Sequence, residues 1–204
     1  MRSRILVPSG ALALALLFSG CESIPKNIDM QNDNAHAVMA LDYRDFQKTA
    51  DILVQSLLGS GRLKKPNGGA CVMTTGKIIN DTMQRIDTDQ LMAKIEESLM
   101  NSGQVVMTSA IAAGDGVDKM VYKVREKRNS DEFNQGTIAE KGQLVAPELS
   151  ISGKIIQRDV RYERRKTQVE YYFQLKVTGI GTGLRLWQKE EVIGKRGSNK
   201  SVSW

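Results

Sequence analysis

The sequence predicts a mixed α/β (α+β) domain, with a central sheet of about four to five strands flanked by helices. Three observations predict it. Apolar residues recur at helical spacing in the first half of the chain. The last third instead alternates strictly between apolar and polar positions, the period of a half-buried strand. Composition supplies the third: 204 residues suit one domain, and 41% apolar with 25% charged residues suits a body that folds in water.

The elements follow in order. Asp42 begins a helix whose apolar positions Phe46, Ala50, Leu53, Val54, Leu57 and Leu58 share one face, and Gly59 and Gly61 end it. A loop over 64–69 leads to a strand over 70–79. Asp87 stands three residues before Gln90, which predicts a capping box. The helix it opens carries Leu91, Ile95 and Leu99 on one face and closes at Gly103. Residues 104–108 form a short strand. Val117, Met120, Val121 and Val124 predict a third, highly charged helix, followed by a polar loop over 127–136 and a short helix near 137–141.

Then the period changes. Leu149, Ile151, Gly153 and Ile155 alternate with polar residues, as do Val169, Tyr171, Phe173, Leu175 and Val177. Between these two strands, 158–166 reads as a basic hairpin tip. Gly179, Gly181 and Gly183 make a turn, and 184–195 is a final strand with Trp187 directed to the core. The tail 196–204 is expected to be loose. The order is α-β-α-β-α-β-β-β, with no internal repeat.

The N-terminus reads as a targeting segment. Arg2 and Arg4 precede an apolar core over 11–18, too short for a spanning helix of about 20 residues. It ends in Phe18-Ser19-Gly20-Cys21, which resembles the lipobox of bacterial lipoproteins. By that resemblance residues 1–20 are a signal peptide and Cys21 takes the lipid. Glu22 follows the cysteine where Asp would be the inner-membrane retention signal, which implies the outer membrane. Residues 21–40 are polar and without period, a flexible tether. Residues 41–204 are the globular domain. With Cys21 lipidated, Cys71 has no disulfide partner and reads as a small buried residue.

Charge and chemistry narrow the function. Removal of Arg2 and Arg4 leaves 27 basic against 23 acidic residues, a mild excess that suits an acidic partner surface, an anionic headgroup layer or a polyanion. No nucleic-acid motif accompanies it. The single histidine, His36, lies in the tether, so no Ser-His-Asp arrangement is available. No His/Cys cluster has metal spacing, and neither glycine cluster (114–116 or 179–183) fits a phosphate-binding loop. The expectation is a non-enzyme without cofactor, metal, nucleic acid or small-molecule substrate. Arg158, Arg161, Tyr162, Arg164, Arg165 and Lys166 are the candidate partner-binding residues, because Arg and Tyr are enriched in binding hot spots. Charges that discourage edge pairing are the competing account of the same hairpin.

Several segments, in order, resemble one family. The run from Gly69 through Ile78, Ile79, Asn80 and Asp81 to Thr82 resembles the first strand of the LpoB-type penicillin-binding-protein activator lipoproteins. Thr88–Gly103 matches the helix that follows, and Gln104–Thr108 the next strand. Residues 141–154 resemble the family's pre-strand turn and third strand, and Thr182-Gly183 with Trp187 its Thr-Gly-x-x-x-Trp hairpin. The resemblance implies a domain similar to the N-terminal domain of the TolB translocation protein and an outer-membrane lipoprotein facing the periplasm. Its implied partner is a class A penicillin-binding protein, whose peptidoglycan synthesis it would stimulate. The tether here is shorter and poorer in proline than the family's, and the hairpin longer and more basic. The alternative is a non-catalytic lipoprotein of an envelope assembly or secretion system, similar to the curli export pore. The charges on the first hairpin strand count against membrane-spanning strands.

Overall fold

The computed structural model describes residues 38–198, apart from the side chain of Tyr162. The signal peptide, Cys21, His36 and most of the tether lie outside the described residues, as do 199–204. The described elements are α1 (Tyr43–Gly59), β1 (Cys71–Asp81), α2 (Thr88–Asn101), β2 (Val105–Met107), α3 (Met120–Lys123), β3 (Leu149–Glu163), β4 (Lys166–Gly179) and β5 (Arg185–Ser198). They build a five-stranded sheet in the order β2-β1-β3-β4-β5. β1 runs parallel to β2 and β3, and β3, β4 and β5 form an antiparallel meander. The α+β class with a central mixed sheet is the one the periodicities predict.

Side-chain alternation divides the sheet into two unlike faces. One carries Met73, Ile151, Ile155, Val169, Tyr171, Phe173, Leu175 and Val177, all buried. The apolar stripes of α1 (Phe46, Ala50, Leu53, Val54, Leu57) and α2 (Leu91, Met92, Ile95, Leu99) close over it as one core. Phe46 meets Phe173 edge to face, with centroids 6.2 Å apart and planes at 87°. Each buried side chain of this size contributes roughly 1.5–3 kcal/mol. Cys71 is buried in the same core, its Sγ donating to the Leu63 carbonyl, and burial pushes its thiol pKa up.

Local chemistry starts the two helices differently from the sequence expectation. Asp42 accepts from the Arg44 and Asp45 amides, and Asp45 returns a bond to the Asp42 amide, so the reciprocal capping box stands at α1. Asp87 caps α2 by accepting from Asp89 and Gln90. The bond back from Gln90 that would complete a box is not among those formed.

The chain entering α1 is fastened to the sheet. The Tyr171 hydroxyl donates to the Met39 carbonyl, and Lys195 Nζ to that of Ala40 at 2.6 Å. Lys195, itself half-buried, also pairs with Asp45. Burial raises the Tyr171 hydroxyl pKa to about 12.

Four expectations are corrected. The third helix shrinks to the four residues Met120–Lys123 followed by a 3-10 turn, and none of its residues is buried. Its apolar stripe has no layer to face. The short helix near 137–141 is a single 3-10 turn at Gln135–Thr137, capped by Asn134. Most of the predicted tip 158–166 is strand: β3 runs to Glu163, and the turn is Arg164-Arg165 alone, with Arg165 at φ 68°. Lastly, β5 continues to Ser198 because β4 offers pairing partners as far as Lys166.

Gly153 tests the β3–β4 contact. A Cβ there would stand 2.4 Å from the Gln174 carbonyl oxygen and 2.7 Å from Leu175 Cδ2. Backbone cannot yield as a flexible side chain does, so Gly153→Ala should lower unfolding stability by about 1–3 kcal/mol in denaturant titration. Gly194→Ala on β5, where a Cβ would meet nothing within 4 Å, is the control and should change little.

Candidate functional site

The second face of the sheet has no helix layer. α2 joins β1 to β2 on the core side, and β2 then returns across β1 to reach β3. A right-handed crossover carries that return over the opposite face. Thr74, which alternation puts on that side, donates to the Ile111 carbonyl of the returning segment. This segment covers the β1 end. Over β3, β4 and β5 the face stays open.

Register writes out the open face row by row. Asp81, Ile156, Tyr172 and Val192 stand side by side across four strands. On one side lies the row Ile79, Lys154, Gln174 and Glu190, and on the other Arg158, Glu170 and Gly194. Val160, Gln168 and Arg196 follow. The middle row is thus apolar and aromatic. Val192 is 45% exposed and Ile79 53%, while Ile156 and Tyr172 are half-buried by their neighbours.

Polar bonds hold these side chains in place. The Arg158 guanidinium lies over the Tyr172 ring, 5.1 Å from its centroid. The Tyr172 hydroxyl donates to Glu170 Oε2 at 2.6 Å, and Gln168 Nε2 donates to the other oxygen. Arg196 Nε donates to Gln168 Oε1 at 2.6 Å. Lys154 pairs with Asp81 at 2.5 Å, and Gln174 donates to Glu190 at 2.6 Å. The hydrogen bond from Tyr172 holds the Glu170 carboxyl below the usual carboxylate range, helped by Gln168 and Arg158. The same bond raises the Tyr172 hydroxyl pKa. An aromatic anchor carrying an arginine, with its side chains already ordered, suits recognition of another surface.

The six sequence-predicted residues are not brought together. Arg158 belongs to the open face. Alternation sends Arg161 to the opposite side, level with Thr167. Arg164 and Arg165 form the turn, and Lys166 pairs with Glu163 at 2.6 Å. The Tyr162 side chain lies outside what the structure describes. Tyr172, Glu170, Lys154, Ile156 and Val192 were not among the candidates. The signal for Tyr172 was present, since an aromatic residue stands at an outward position of a strictly alternating strand. Trp187 is partly buried at the margin of the core, on the other side from Tyr172. Among the described residues no group of three His, Cys, Asp or Glu side chains is placed to hold a metal ion.

The family model for the peptidoglycan-synthase activator LpoB matches residues 45–193, which is most of the chain and nearly all the described elements. The chain belongs to the LpoB family. That family is a regulatory one, described by its activation of a peptidoglycan synthase. A search of the curated proteins finds no significant match. Among solved structures this LpoB-family chain is similar to the LpoB C-terminal domain from Salmonella enterica, at 12% identity, 73% of this chain, 98% of that one and a TM-score of 0.42. The Escherichia coli C-terminal domain gives 10% identity, 74% and 99% coverage and a TM-score of 0.42. The NMR structure of Escherichia coli LpoB gives 13%, 96% and 91%, with a TM-score of 0.39.

Glu170 reports on the network by titration. Its folded pKa lies below the ordinary value, so its contribution to stability is present above that value and is lost as pH falls through the folded pKa. Tyr172→Phe removes the leading hydrogen bond. The Glu170 carboxyl carbon, followed by NMR against pH, should then titrate at a higher pH, back toward the ordinary carboxylate range. An unmoved midpoint would show that Tyr172 does not hold Glu170.

Proposed function

We propose that this LpoB-family chain is an outer-membrane lipoprotein that binds a class A penicillin-binding protein and thereby promotes peptidoglycan synthesis. In this reading residues 1–20 are removed as a signal peptide. Cys21 carries the lipid, 21–40 tether the domain, and 41–204 act in the periplasm. The chain works by binding and has no catalytic step of its own. The observation that carries the reading is the family match over nearly all of the α/β domain, residues 45–193. The lipobox-like Ser19-Gly20-Cys21 supports the anchor. No helix among the described residues is long and apolar enough to cross a membrane.

The open sheet face is the proposed contact surface. Its centre is Tyr172 with Ile156 and Val192, and Arg158 covers the ring. The middle row supplies apolar area to desolvate, and Lys154, Asp81 and Glu170 beside it already have polar partners, so docking need not strand those charges. Because the core lies on the other face, substitutions here should spare the fold.

Binding of the purified chain to a purified class A synthase tests this. Tyr172→Ala should weaken binding by about 30-fold, the loss of one hot-spot anchor of about 2 kcal/mol. Thermal stability should change little, since Tyr172 is outside the core. Unchanged affinity for both Tyr172→Ala and Arg158→Ser would remove the open face as the contact. Failure of the unmodified chain to bind any class A synthase would overturn the activator role itself.

A further inference from the structure

We propose that the turn of the β3–β4 hairpin rests on the anionic surface of the membrane that holds the chain, with Arg161, Arg164 and Arg165 reading headgroup phosphates. The inference rests on the lipid anchor at Cys21 proposed above.

The first argument is where the chain enters the domain. Met39 and Ala40 are fastened to Tyr171 and Lys195 at the hairpin end of β4 and β5. Met39 lies so close over Gly197 that a Cβ there would stand 2.6 Å from its sulfur. Gly197 pairs with Thr167, and Thr167 with Arg161. Met39 and Arg161 therefore share one row and, by alternation, one side of the sheet, two strands apart. The last residues leading in from the anchor and the basic hairpin stand at the same end.

Length is the second argument. Residues 22–38 separate Cys21 from Met39. That stretch reaches about 60 Å when fully extended. The end of the domain at which that stretch enters is the end that carries the arginines.

Charge is the third. Arg161, Arg164 and Arg165 are exposed, and among the described residues no ion pair or side-chain hydrogen bond engages them. Basic side chains near an anionic leaflet gain from its surface potential and do not need a shaped pocket. Protection against edge pairing does not explain the two turn residues. The ladder ends at Glu163 and Lys166, so Arg164 and Arg165 stand beyond any strand edge. The open face around Tyr172 belongs to a different part of the surface, so the domain can present it while the tip touches lipid.

Vesicle sedimentation of the mature chain, residues 21–204 carrying Cys21→Ser, tests the proposal without any contribution from an acyl group or the signal peptide. The chain should be retained by vesicles of phosphatidylcholine with phosphatidylglycerol, and not by phosphatidylcholine alone. The variant Arg161→Ser/Arg164→Ser/Arg165→Asn should bind at least about tenfold more weakly. Asn replaces Arg165 because it tolerates the positive φ there. An unchanged circular dichroism melting curve confirms that the variant is folded, and Arg161→Ser/Arg164→Ser, which leaves the strained position alone, should show most of the loss. Equal retention of variant and parent, or no retention of the parent, overturns the proposal. So does displacement by inorganic phosphate at constant ionic strength, which would mark a free-phosphate site. A variant that keeps vesicle binding but loses capture of the synthase assigns the turn to the partner protein and also overturns it. Palmitate labelling of the natural chain checks the anchor separately: an unlabelled Cys21 would sink the anchor, while the vesicle result would still stand on its own.

Discussion

The domain depends on covering one face of β4. Val169, Tyr171, Phe173, Leu175 and Val177 are all but inaccessible along that face, and α1 supplies Phe46, Ala50, Leu53, Val54 and Leu57 to cover them. Period 2 in the strand and period 3.6 in the helix can be satisfied together only if every second residue of the strand is left on the other side. The same five-residue stripe that builds the core therefore determines that Gln168, Glu170, Tyr172, Gln174 and Lys176 form a surface. A one-residue slip of β4 would exchange the two sets. Ladders to β3 and β5 over nearly the whole strand hold the register.

This is why the fold was legible from the sequence and the site only in part. Alternation in β3 and β4, the stripes of α1 and α2, and Asp42 and Asp87 as caps are local signals, and the structure uses each. The third helix is shorter than its apolar spacing predicts because no layer exists for it to pack on. Met120 and Val124 remain exposed. The charges of 158–166 are adjacent in sequence, which suggests one tip. In a strand, adjacency separates side chains onto opposite faces. Arg158 and Arg161 part company for that reason, and only the turn keeps Arg164 and Arg165 together. Tyr172 is not legible as a site in the sequence because its partners, Arg158, Glu170 and Val192, come from three strands and are brought together by register. That the capping box sits at Asp42 and Asp45 rather than at Asp87 and Gln90 shows the same limit. Asp at the third helical position fulfils the role usually given to Glu or Gln.

Fold and proposed role are joined by the placement of ends and faces. The chain arrives at the hairpin end of β4, held there by bonds from Tyr171 and Lys195 to two backbone carbonyls. The helix layer fills one side of the sheet. What is left for a large partner is the broad side formed by β3, β4 and β5, with an arginine stacked on a tyrosine near its centre. Membership of the LpoB family supplies the kind of partner, a peptidoglycan synthase, and the open face supplies a surface of suitable chemistry.

Side-chain footprinting of the complex is the most direct measurement. The chain would be exposed to hydroxyl radicals alone and with a purified class A penicillin-binding protein, and oxidation read by mass spectrometry. Tyr172, Val192 and Ile156 should be protected by the partner, while Met120, Val124 and Phe133 on the segment between β2 and β3 stay as reactive as before. Protection confined to that segment, with Tyr172 and Val192 unchanged, would contradict the assignment of the open sheet face as the partner-binding surface.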